Sequence, residues 1–186
     1  MPIVIENLSE FPNGFEDRLE ELRRSRALLL AEIEAAKTGS AAGSSGPNAW
    51  SAAEVVYHVH LAERSIARML RKALDSPARA TVADVDQLRT EWERIRTLVG
   101  TRRTKMQAPP RVVPANPPGL ADGVELLNES RRQLMAAVEN ATYDDLLSVS
   151  MPHPFQAVGT LTGAGWLSVV AYHDVRHAEQ LRELAG

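Results

Sequence analysis

Trp166-Leu167-Ser168-Val169-Val170-Ala171-Tyr172-His173-Asp174-Val175-Arg176-His177-Ala178-Glu179-Gln180-Leu181 places Trp166, Val170, His173, His177 and Leu181 at steps of three and four residues. That is the period of one helix face, and Leu184 extends it. Two histidines therefore occupy an otherwise apolar stripe. Residues at i and i+4 project side by side from a helix, so His173 and His177 can offer nitrogens to one point.

The same period recurs upstream. From about Gly14 to Lys37 it carries Phe15, Leu19, Leu22, Leu29 and Ile33, and stops in the Gly/Ser-rich stretch Thr38 to Pro47. A second helix begins near Trp50-Ser51, where Ser51 and Glu54 match a capping box, and ends at Asp75-Ser76-Pro77. Its stripe is Val55, His58, Ala62, Ile66, Met69 and Ala73, so a third imidazole stands where an apolar side chain belongs. A shorter charged helix is expected from Val82 to Leu98, with Leu88, Trp92, Ile95 and Val99 as its apolar edge. The proline-rich stretch from Gln107 to Gly119 is expected to run extended over the surface. A third long helix follows from Asp122 to Asn140, with Val124, Leu127, Leu134 and Val138 inward. Few β-branched residues alternate anywhere, so the expectation is all-α, without a sheet, as one domain over residues 1–186.

Composition narrows the function classes. Aromatic residues are 5% of the chain, which leaves Leu, Val, Ala and Ile to fill the core. The net charge of -3 argues against nucleic acid as a partner, since phosphate binding calls for a basic face. There is no cysteine, which excludes disulfides, thiolate metal sites and a cysteine nucleophile. No apolar run is long enough for a membrane span, and MPIVIENLSEF lacks the pattern of a secretory leader, so a cytoplasmic protein is expected.

Burying three imidazoles without partners would cost about 1–3 kcal/mol each, and one shared divalent ion would offset all three. His58, His173 and His177 are accordingly the candidate metal ligands. Gln180, one turn beyond His177, is the candidate hydrogen-bond partner behind a ligand. His60 lies about 200° round the helix from His58 and is expected to face away. His153, between two prolines, could edge the mouth of the site, but a plain surface residue is the expectation. Asp174 and Arg176 flank the ligands and could orient them through hydrogen bonds or ion pairs, but receive no catalytic role. The block His173-Asp174-Val175-Arg176-His177 is not a zinc-protease motif: Asp174 stands where the general-base Glu belongs, and no third ligand follows in the nine residues to Gly186.

With these residues in view, the sequence resembles the DinB-like superfamily, which also includes YfiT-like proteins described as metal-dependent hydrolases. The matching stretches are Trp50-Ser51-Ala52-Ala53-Glu54-Val55-Val56-Tyr57-His58, then His153-Pro154-Phe155 through Gly159, Leu161 and Thr162, and above all His173 to Leu181. The resemblance implies a four-helix bundle with connectivity that is not simply up-and-down, here with an extra short helix and a long proline-rich loop. It implies a metal centre on His58, His173 and His177 holding zinc or nickel, and a homodimer. Three imidazoles by themselves also suit iron or copper. Such a centre keeps a coordination position open and can activate a water or a thiol. The expected function is thus a metal-dependent hydrolase or thiol S-transferase acting on a small-molecule substrate, with any low-molecular-weight thiol arriving as cosubstrate. The alternative is a non-catalytic, stress-related metal or small-molecule binding protein.

Overall fold

The structure is a computed structural model that describes residues 10–38, 49–80, 82–103 and 106–185. Four long helices form a bundle: α1 (Phe15–Thr38), α2 (Ala52–Asp75), α4 (Leu120–Val138) and α6 (Gly163–Ala185). Between them lie α3 (Val85–Arg94), continued by a π-helical turn Ile95–Val99, a 3-10 turn Pro110–Val112, and the short α5 (Tyr143–Ser148). The Gly/Ser-rich stretch expected after Thr38 lies outside the described residues.

α6 is the axis of the molecule. Sixteen of its 23 residues are buried, on every side of the helix rather than on one stripe. α1 packs along it, while α2 packs along α4 and reaches α6 over a shorter contact. Two clusters fill the interior. One joins Leu22, Trp92, Leu134, Leu146 and Leu167. The other joins Leu29, Ile33, Val56, Leu127 and Leu181.

Three local expectations change. The charged helix starts at Val85, because Asp84 caps it by accepting from the Gln87 N–H at 2.9 Å, and it widens into the π turn at Ile95. A two-stranded antiparallel ribbon exists after all: β1 (Ser150–Pro152) pairs with β2 (Thr160–Thr162), Met151 opposite Leu161. Strands of three residues are too short to show an alternating pattern. The proline-rich loop does not stay on the surface either. Its 3-10 turn buries Val112 against the bundle.

Candidate metal centre

The capping box of α2 forms as read. The Ser51 hydroxyl accepts from the Glu54 N–H, and Glu54 Oε2 accepts from the Ser51 N–H at 2.7 Å. Glu54 is thereby occupied as a cap. One turn beyond Glu54, His58 is buried, its ring 4.7 Å from that of Trp50. α6 presents His173 and His177 with ring centroids 4.4 Å apart.

The three rings meet. His173 Nε2 lies 3.2 Å from His58 Nε2 and 3.1 Å from His177 Nε2, and one nitrogen from each ring falls within 4.8 Å of the others. Three nitrogens bound to one ion at zinc-like distances in a tetrahedral arrangement would stand roughly 3.4 Å apart. The two spacings made by His173 are close to that value.

Hydrogen bonds behind the rings fix the tautomers. His58 Nδ1–H donates to the Val112 carbonyl at 2.7 Å, and His177 Nδ1–H donates to Gln180 Oε1 at 2.9 Å. A carbonyl cannot donate, so both Nδ1 atoms carry the proton. Burial, foremost, and the Arg176 guanidinium hold all three imidazoles below their ordinary pKa, that is, neutral. His58 and His177 therefore direct Nε2 lone pairs inward. The Nε2 of His173 has one proton at most and can donate to only one of them; the other inward lone pair is left facing a nitrogen with no proton for it. A shared cation resolves this conflict, and in that chemical sense the residues fit a divalent metal.

The triad opens on a cavity of about 640 Å³ whose apolar wall includes Trp50, Ile66, Met69, Phe155 and Trp166. Ala62, Ile66 and Met69 of the α2 stripe are thus cavity wall; the sealed core is served by Val56, Val59, Ala67 and Leu70. His60 faces away from the triad, as expected, but it is buried and donates through Nδ1 to the Leu126 carbonyl at 2.8 Å. His153 is not a plain surface residue. It is half-buried in the cavity wall, its ring stacked at 5.3 Å on that of Trp166, and burial lowers its pKa to about 4. The prolines on either side and Phe155 two residues on were the signal for a fixed connector rather than a mobile loop.

Asp174 does not orient a ligand. It is fully buried and joins a charge cluster to which each long helix contributes one residue: Arg26 (α1), Glu63 (α2), Arg131 (α4) and Asp174 (α6). Arg26 Nε meets Asp174 at 2.9 Å, and Arg131 Nε meets Glu63 at 2.5 Å. Arg176 donates to the Thr101 carbonyl and lines the cavity. The role of Val112 could not be read from sequence, because its contribution is a backbone carbonyl.

Fold and site together define a helical-bundle protein with a three-imidazole centre shared between two helices. The chain belongs to the DinB superfamily, whose family model matches residues 21–181. It is similar to the uncharacterized protein YuaE of Bacillus subtilis (strain 168), with 27% identity over 139 residues, 73% of this chain and 76% of that protein. In structure it resembles TT2238, a four-helix bundle protein, at a TM-score of 0.57 and 26% identity, covering 90% of this chain and 98% of that one. No helix among the described residues is long and apolar enough to cross a membrane.

Proposed function

We propose that the protein is a metal-dependent enzyme in which His58, His173 and His177 hold one divalent ion, zinc or nickel, at the floor of the cavity. The observation that carries this reading is the meeting of three neutral imidazole nitrogens with two lone pairs committed inward. When bound, such an ion supplies Lewis acidity that lowers the pKa of a water or a thiol.

Of the two chemistries, thiol transfer is favoured over hydrolysis. Neither Asp nor Glu is among the described residues of the cavity wall, so no carboxylate is placed to serve as general base. A free thiol has a pKa of about 8.5 against about 15.7 for water, and so needs far less help to ionise near neutral pH. With no cysteine in the chain, the thiol is a cosubstrate. The chain's own contribution is positional. Val112 and Gln180 hold two rings in one tautomer, and the apolar wall keeps bulk water from an activated nucleophile.

The test is turnover of a chlorinated aromatic electrophile with low-molecular-weight bacterial thiols by metal-loaded protein. Thioether formation abolished in His173→Ala supports transfer. Ester or amide hydrolysis without any thiol would favour the hydrolase. Metal binding with neither activity would leave the non-catalytic binding protein.

A further inference from the structure

The cavity wall is uneven in charge. Its charged side chains among the described residues are Arg102, Arg111 and Arg176, against no carboxylate. Glu183, which stands outside the wall, already engages Arg102 through Nε at 3.0 Å and Nη2 at 2.9 Å, leaving Nη1 outside that pair. Arg111 is exposed on the 3-10 turn whose Val112 carbonyl touches His58. Guanidinium groups pair with planar oxyanions through two parallel hydrogen bonds.

His153 adds a donor of another kind. Its Nδ1 accepts the Phe155 N–H at 3.1 Å, so the neutral ring must carry its proton on Nε2. This is the opposite tautomer to that of His58 and His177. The triad offers lone pairs, while the remaining histidine and the arginines of the wall offer N–H donors. The rest of the wall is largely apolar.

We propose that the cavity selects an organic carboxylate: an apolar aromatic or aliphatic body bearing a single carboxylate, recognised by the guanidinium groups of the wall, Arg102, Arg111 and Arg176. A monoanion fits such a wall better than a phosphate dianion, because each added charge brings a further desolvation cost. The inference rests on the cavity being the substrate site of the function proposed above, and its test is separable from that of the metal.

The probes are 3-phenylpropionate, its uncharged amide and 3-phenylpropylamine, measured by titration calorimetry on the full chain as purified and after chelator treatment. The carboxylate is expected to bind about tenfold tighter than the amide, with the amine weakest, and the order is expected to survive chelation. Arg102→Gln and Arg111→Gln should each remove most of that advantage and leave amide binding within about twofold. Arg111 is exposed, so its variant keeps the test usable should Arg102→Gln disturb the contact with Glu183. A carboxylate no tighter than its amide, an advantage unchanged in both arginine variants, or one lost with the metal would overturn the proposal. Metal content of the same samples reports on the enzyme reading independently.

Discussion

Gln180 and Glu91 show how one side chain tunes its surroundings. Gln180 touches the centre only through His177 Nδ1, fixing that ring's proton and orientation. Gln180→Leu should weaken metal binding about tenfold in a competition titration against a chromophoric chelator; unchanged affinity would reduce Gln180 to a helix-end polar residue. Glu91 lies far along the chain from the ligands, buried beneath β2, where it accepts from the Thr162 N–H at 3.1 Å and the Thr162 hydroxyl at 2.9 Å. Burial raises its pKa above the ordinary 4.5, outweighing the lowering by these hydrogen bonds and by Arg94. As pH rises past 4.5 the unfolded chain gives up this proton before the folded one, so the folded state loses stability until its own raised pKa is passed. Glu91→Gln should therefore melt higher than wild type at about pH 7, with the gain absent at about pH 4. A gain of equal size at both pH values would deny that ionisation is the cause.

At the scale of elements, the long helices were legible because three- and four-residue spacing survives wherever a helix buries one face. The stripes of α3 and α4 coincide closely with what is buried, whereas α1 buries Arg18, Glu21, Ser25 and Arg26 as well as Leu22, Leu29 and Ile33 of its stripe. α6 was legible as a helix but not as the central one. Asp174, Arg176 and Ser168 resemble a solvated face in sequence, yet each is buried with partners supplied by distant elements. The ribbon and α5 were too short to leave a pattern. His58, His173 and His177 were legible because imidazoles interrupted apolar stripes, whereas a backbone carbonyl such as that of Val112 carries no sequence signal. The entry to α6 gives a prediction at this scale. A Cβ at Gly163 would stand 2.9 Å from the Leu146 carbonyl oxygen, which belongs to α5 and cannot swing aside like a side chain. Gly163→Ala should cost about 1–3 kcal/mol in chemical denaturation. Ser51→Ala, at the head of the helix that bears His58, should cost about 1 kcal/mol. Loss of neither would mean that these contacts are relaxed in solution.

Across the whole molecule, buried polar groups tie the bundle together, among them the triad, which opens on the cavity, and the Arg26–Glu63–Arg131–Asp174 cluster, which does not line it. The cluster balances two cations against two anions, so removing one member leaves a buried charge without its complement. Asp174→Ala should cost about 3–5 kcal/mol of stability, with Arg26→Met in the same chain restoring part of it. Strictly additive losses would argue against a coupled cluster. The central claim concerns the other centre: imidazoles from α2 and α6, 115 residues apart in sequence, serve a single ion. Elemental analysis of untagged protein, dialysed against zinc or nickel and then against buffer, tests it most directly. One metal per chain in the wild type and almost none in His58→Ala is the predicted result. A metal-free wild type, or a His58→Ala variant that retains its full equivalent, would contradict the account.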